Sequence, residues 1–467
     1  MMKIRFIQLF LFFLLFISYD LLSQEKVERP NIIFYLADDQ DLLDYGAYGN
    51  PKVYTPAVDE ISKEGIRFNN FYTSQAICAP SRSQIFTGMF PIKNGCMANH
   101  LPVKSNLKTV IDYMGGAGYD VVLAGKGHVK PNTVFNWSNY FKSIDHRYLP
   151  IEKIDKFLDN TEKPFCLFIA SDFPHGPYPK KSKYTKEDIY QLPYDKGNFK
   201  NFKKGYYQNI YNDNLQLEKV LQMIKNKGLK DSSVFIYASD HGISGKWGVS
   251  EQGLKVPFIV RWPGIVKPNT VSNTMLSFVD VLPTLLEIAG ISDIPEDIDG
   301  KSFKKTLEGD ESQVNEYIYS LATKQNIQQC KVFPSRAVRN ERYKFIRNYN
   351  SMDVVNSNLG DNPIINHFIK IGAESFPNVP YEELYDLKSD PYQQNNLIDN
   401  INLIDVKNEL MSALNLWMIE QNDFLLMGKM PLIKPTLHPL DRVSNWNKVD
   451  DDYINKLSES DYTVKHY

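Results

Sequence analysis

Three short runs constrain the fold more than any other feature of the chain. Residues 30–37 read PNIIFYLA and lead into Asp38-Asp39, residues 164–175 read PFCLFIASDFPH, and residues 234–242 read VFIYASDHG. None alternates apolar with polar residues, and each is short, as expected of strands buried on both faces of a parallel sheet. Each finishes in Asp or His. Between them lie helical patterns at 55–66, 107–119 and 206–229, the last with apolar residues near i, i+3, i+4 and i+7 and a stop at Gly228. Strands alternating with helices predict an α/β, doubly wound sheet, whose ligands bind beyond the carboxyl ends of the strands. The acids and imidazoles that end these runs should therefore meet at one edge.

A chain of 467 residues exceeds one ordinary core. After a helix expected at 278–291, with Gly290 near its end, the pattern changes. Residues 335–349 read as two strands around Asn340-Glu341, and 382–397 as a strand and turn leading to a helix near 401–420. The expected division is a signal peptide at 1–23, a main domain at 24–320, a smaller α+β domain at 321–440 and a polar tail at 441–467. Lys3 and Arg5 precede a mostly apolar run of about 14 residues, the pattern of an export signal. A membrane anchor is the alternative, but spanning takes roughly 20 apolar residues and Asp20 interrupts the run. A mature chain from near Gln24 or Glu25, working in the periplasm or secreted, without stable membrane insertion, is the expectation. The formal net charge of -2 gives no support to a nucleic-acid partner. Cys78, Cys96, Cys166 and Cys330 match no zinc pattern, and one disulfide among the last three stays open.

Asp38, Asp39, Asp240 and His241 offer three carboxylates and an imidazole from two strand ends. That is oxygen-rich ligation for a hard cation such as calcium, with zinc as the rival. A second set is cationic: Arg82, Lys126 and His128 in AGKGHVK, His175 in DFPHGPY, and Lys255 in EQGLKVPF. Beside a metal, such groups would hold a tetrahedral oxyanion and stabilise charge on a leaving oxygen. Cys78 stands in AICAPSRSQIFTG, where Pro80 suits the first turn of a helix and Gly88 its end, and where the amide groups of the N-terminus favour an anion. From chemistry alone it is a candidate thiolate nucleophile with Arg82 one turn along, or an ordinary buried cysteine.

At these residues the chain resembles the type I sulfatases of the alkaline phosphatase superfamily. Cys78-Ala79-Pro80-Ser81-Arg82 matches their C-x-P-S-R signature, and the likeness runs from about residue 29 to 420 through LADDQ, GKGHV, SDHG, GLKVPFIVRWPG and LYDLKSDPYQQNNL. The resemblance implies a mixed, mostly parallel sheet sandwiched by helices, with a smaller C-terminal α+β domain. It implies that a separate maturation enzyme oxidises Cys78 to formylglycine. It further implies that Asp38, Asp39, Asp240 and His241 bind one calcium ion together with residue 78, and that Arg82 and Lys126 orient a gem-diol whose hydroxyl attacks sulfur to give a covalent sulfate hemiacetal ester. His175 with Lys255 would protonate or neutralise the departing alcohol, and His128 would act as the base that expels sulfate. His100, in MANHL, is a candidate substrate contact. GKGHVKPNTVFNW is similar to the corresponding part of carbohydrate sulfatases and sulfamidases, and the lysine- and tyrosine-rich residues 175–208 read either as a rim for a sulfated sugar chain or as a solvated loop. The expected partner is a sulfated oligosaccharide or polysaccharide, such as ulvan, an algal galactan or a glycosaminoglycan. An arylsulfatase or sulfamidase, a phosphonate or phosphate ester hydrolase, and a non-catalytic glycan binder are the alternatives.

Overall fold

The computed structural model describes residues 29–191, 202–323, 334–349, 379–427, 429–431, 451–458 and 462–464. The expected signal peptide, Cys330, residues 192–201 of the expected rim and most of the expected tail lie outside them. Among the described residues no helix is long and apolar enough to cross a membrane.

A nine-stranded sheet forms the main body. Its strands are β1 (Asn31–Asp38), β2 (Ile66–Tyr72), β3 (Asp120–Gly125), β4 (Asn139–Phe141), β5 (Phe165–Pro174), β6 (Ser233–Ser239), β7 (Lys255–Arg261), β8 (Thr270–Ser272) and β9 (Leu276–Ser277), in the order β4-β3-β5-β1-β6-β7-β2-β8, with β9 also paired to β2. All pairs are parallel except those that β7 makes with β6 and β2. β7 alone is therefore reversed, and its first residue lies at the edge where its neighbours end. β1 sits between β5 and β6, and the apolar runs now have their cause, because both faces of these strands are covered. Ile32, Phe34 and Leu36 enter one core, and Ile33, Tyr35 and Ala37 enter the other.

Helices cover the faces. On the first lie α2 (Cys78–Thr87), α3 (Val110–Gly116) and α6 (Val281–Ile288); on the second lie α1 (Pro56–Glu64), α4 (Ile151–Asn160) and the long α5 (Lys203–Asn226). All ten residues of α2 are buried, and Gly88, at φ 65°, closes it by donating its N–H to the Gln84 carbonyl at 2.8 Å. A second, antiparallel sheet of β10 (Ile318–Ala322), β11 (Ser335–Arg339), β12 (Tyr343–Asn348) and β13 (Glu382–Asp386) packs with α7 (Ile404–Glu420) through Leu321, Val338, Phe345, Leu384, Leu414 and Trp417. Cys96 and Cys166 are free, buried thiols, so neither enters the disulfide left open by the sequence.

Candidate active site

The carboxyl edge of the large sheet collects the chemistry. Asp38 is the last residue of β1, and Asp39 turns away at φ 68°. Asp240 ties two strand ends together, because its Oδ1 accepts the N–H of Asp39 at 3.0 Å and that of His241 at 2.9 Å. Arg82 rises from α2 with no exposed surface. Its Nε donates to Asp240 Oδ2 at 3.0 Å, its Nη2 to Asp38 Oδ1 at 3.4 Å and its Nη1 to the Lys126 carbonyl at 2.7 Å. Lys126 pairs with the other oxygen of Asp38. It gets there because Gly125 turns the chain at φ 97°, where a Cβ would lie 2.0 Å from the Ala170 carbonyl oxygen.

Cys78 is 1% exposed, and its Sγ faces His241 Nε2 at 3.4 Å and Asp39 Oδ1 at 3.8 Å. The Ala79 N–H beside it donates to Asn99 Oδ1 at 3.1 Å, and the Ser81 hydroxyl donates to the Asp240 carbonyl at 2.6 Å, so α2 is pinned to the strand end that carries the acids. His175 is the open member of the group. Its Nε2 lies 3.6 Å from Asp39, its Nδ1 faces the Gly176 carbonyl at 2.8 Å, and Arg147 fixes the turn by donating to the His175 carbonyl at 2.8 Å.

One expectation needs correction. Lys255 is not brought to this group: its surroundings are Glu251, Arg339 and the Tyr72 ring, beneath the second sheet. The reversal of β7 does bring its first residue to the correct edge, but beside β2 rather than over β1. The lysine that does arrive is Lys246, overlooked in the sequence. Its Nζ lies 2.7 and 2.9 Å from the two carboxylate oxygens of Asp39 and 3.8 Å from Cys78 Sγ. The available signal was GISGKWG, in which glycines flank the lysine. At Gly245 a Cβ would stand 2.1 Å from the Gly253 amide nitrogen, so the loop is folded tightly upon itself.

His128 and His100 form a pair, Nε2 to Nδ1 at 3.1 Å, while His128 Nδ1 is buried with no hydrogen-bond partner among the described residues. Burial, with Lys126 and His100 adding repulsion, holds His128 far below the usual imidazole range. Burial with Lys126, Lys130 and Lys246 lowers His100 to about 4. Both rings are therefore neutral at pH 7. Asp39, His100, His128 and Trp247 all hold positive φ without being glycine, so backbone strain concentrates around this edge.

The acids behave as a coupled set. Burial alone would raise Asp38 and Asp39, but Lys126, His175 and Arg82 hold the first below the carboxylate range, and Lys246 and His241 do the same for the second. Asp240 is pushed up by burial and by Asp38. Oxygens of Asp38, Asp39 and Asp240 come within 4.8 Å of one another, as do donor atoms of Cys78, Asp240 and His241. Three buried carboxylates with one imidazole form a hard donor set, which suits calcium better than the nitrogen- and sulfur-rich ligation typical of zinc.

Fold and site together define a hydrolase of the alkaline phosphatase superfamily, and the chain belongs to the sulfatase family within it: the model described as Sulfatase matches residues 30–291, and that of the N-sulphoglucosamine sulphohydrolase C-terminal region matches 239–362. Over 452 residues, 94% of this chain and 90% of the relative, it is 46% identical to an ulvan-active sulfatase of Formosa agariphila. Among solved structures, a 2-O glycosaminoglycan sulfatase superposes with a TM-score of 0.69 at 20% identity, covering 85% of this chain and 94% of that one. A protein solved with its substrate D-glucosamine-2-N,6-O-disulfate superposes at 0.65 and 22%, covering 85% and 98%.

Proposed function

We propose that this sulfatase is exported and hydrolyses sulfate ester groups on a sulfated algal carbohydrate of the ulvan type, with Cys78 converted to formylglycine by a maturation enzyme and one calcium ion held at the strand ends. The observation that carries the reading is Cys78 itself, the first residue of a wholly buried helix, with the carboxylates of Asp39 and Asp240, His241 and Lys246 around its side chain. The substrate class leans on the ulvan-active relative, and export leans on the basic and apolar start of the chain.

Formylglycine at position 78 would supply, as its hydrate, the hydroxyl that attacks sulfur, and calcium would polarise the sulfate. The ion would be held by Asp38, Asp39, Asp240 and His241. Arg82, spanning Asp38 and Asp240, fixes the distance between the two strand ends and offers positive charge beneath residue 78. Lys126 and Lys246, anchored on Asp38 and Asp39, place ammonium groups where negative charge grows on the sulfate oxygens. His175 sits at the mouth with its side chain 39% exposed; with Nδ1 committed to the Gly176 carbonyl, its Nε2 is the atom placed to give a proton to the departing alcohol. His128, neutral and with a free Nδ1, takes the proton from the hydroxyl that remains at residue 78, and His100 holds the other ring nitrogen and so fixes which one acts.

The test is sulfate release from a panel of sulfated saccharides and from matched sulfate and phosphate monoesters, with Cys78 conversion read by peptide mass. Release from ulvan fragments is expected. Fully converted enzyme that ignores every sulfated sugar would end the carbohydrate reading. Cys78→Ser made where maturation requires cysteine should be inactive, and full turnover in that variant would remove the proposed nucleophile. Fractionation of the native host, with the protein expected outside the cytoplasm, tests export.

A further inference from the structure

Lys255 opens β7 and lines a cavity of about 630 Å³ between the edge of the large sheet and the turns of the second. Asn70 of β2, Asn273, Arg339 of β11 and Tyr392, beyond β13, are among its lining residues. Asp38, Asp39, Cys78, Lys126, His175 and Lys246 are not among the lining residues, so this is a second compartment.

Its charges do not balance. Glu251, 8% exposed, accepts from Arg339 at 2.6 Å through Oε2 and from Lys344 at 2.8 Å through Oε1, so both oxygens are taken. Lys255 is the third cation around this one carboxylate, and among the described residues its ammonium makes no hydrogen bond and no ion pair. None of the remaining lining charges is paired with the Lys255 ammonium among the described residues. Asp41 accepts the Ser244 N–H at 2.9 Å and its hydroxyl at 2.5 Å, Arg342 is neutralised by Asp386 at 2.8 Å, and Glu341 and Lys388 are exposed. Burial, opposed by Glu251 but reinforced by Arg339, lowers the pKa of Lys255, and Lys344 is lowered in the same way. An ammonium without an ion-pair partner, partly withdrawn from water, is costly until an anion meets it.

We infer that this cavity binds an acidic sugar residue, whose carboxylate or sulfate pairs with Lys255. Its volume falls within the range of small-ligand pockets. The amides of Asn70, Gln252 and Asn273 suit hydroxyl groups, and Tyr392 offers a face for the ring. The inference deepens the reading of the substrate as an acidic glycan and rests on it: the site would hold a residue of the polymer remote from the ester being cleaved.

The experiment titrates the full-length protein with glucuronate, which carries no sulfate to release, and separately with inorganic sulfate, using calorimetry on wild type and Lys255→Met. Saturable glucuronate binding that weakens about tenfold or more in the variant is expected, with turnover of a small aryl sulfate unchanged and KM for sulfated oligosaccharide raised. Sulfate binding that also weakens extends the site to sulfated residues, and sulfate binding that does not belongs to the catalytic centre and leaves the carboxylate as the recognised group. The inference is overturned if neither anion depends on Lys255, or if Lys255→Met slows the aryl sulfate as much as the oligosaccharide. Lys255-dependent glucuronate binding in a protein that desulfates no sugar would keep the site and remove the proposed function instead.

Discussion

Replacing Lys246 by Met tests the part of the site that the sequence misassigned. The ammonium makes two charge-assisted hydrogen bonds to Asp39, at 2.7 and 2.9 Å, and lies 3.8 Å from Cys78 Sγ with only 11% of the side chain exposed. Asp39 keeps His241 at 3.0 Å, so the strand end has a remaining partner and the fold should persist. Losing a preorganised donor that meets charge in the transition state costs about 2.7–4 kcal/mol, or roughly 10²–10³ in kcat. Removing one partner of a fully buried pair costs about 3–5 kcal/mol, which bounds the effect on stability from above. The assay is sulfate release at saturating substrate, with calcium content and Cys78 conversion measured on the same sample. The expected outcome is kcat down roughly 10²–10³ with KM within about threefold, while Lys255→Met keeps its rate on a small aryl sulfate. A Lys246→Met enzyme with more than about a third of wild-type kcat would refute the reasoning, as would a loss that tracks unconverted Cys78.

Chelation of calcium should abolish turnover and lower the unfolding midpoint, and added calcium should restore both. At a hundredfold excess over Kd the ion adds about 2.7 kcal/mol, and restoration by zinc alone would contradict the hard-cation assignment. His100 sits near pKa 4 in the fold and near 6.5 when unfolded, so between these values the unfolded chain binds more protons. Its contribution is therefore complete above that window and is lost as pH falls toward 4. Urea midpoints from pH 4.5 to 7 should rise more steeply for wild type than for His100→Asn, and equal slopes would oppose the burial argument. Arg336 and Asp423 form a pair with no exposed side-chain surface, Nη2 to Oδ1 at 3.0 Å. Arg336→Met leaves a buried carboxylate alone and should cost about 3–5 kcal/mol by urea unfolding; a change below about 1 kcal/mol would show that water reaches Asp423.

Much of the large sheet was legible because burial on both faces leaves β1, β5 and β6 no freedom to alternate, and because an Asp or His can stand only where such a strand escapes the core. That logic identified Asp38, Asp39, Asp240 and His241. The helix of Cys78 was legible from Pro80 and Gly88. Between Asp240 and Lys255 the chain has no period to read: one lysine stands in the loop and the other opens β7, and Lys246 turns inward where Gly245 packs against Gly253. The pairing of His100 with His128 was equally invisible, because it joins two loops that each hold a histidine at positive φ. The cavity at Lys255 exists only where two sheets meet.

All ten residues of α2 are enclosed, and the strand that shelters them is flanked by β5 and β6, which the ribosome delivers far later than Cys78. At about 5–20 residues per second, some 150 residues of further synthesis separate Thr87 from Ser239 by roughly 8–30 s. On the reading proposed above, an enzyme that oxidises the thiol would work against a clock set by topology, because it would have to reach residue 78 before the central strand acquires its second neighbour and the helix is enclosed. Once that happens, Cys78 is only 1% exposed, and on the reading proposed above an unconverted molecule would stay inert however well it folds.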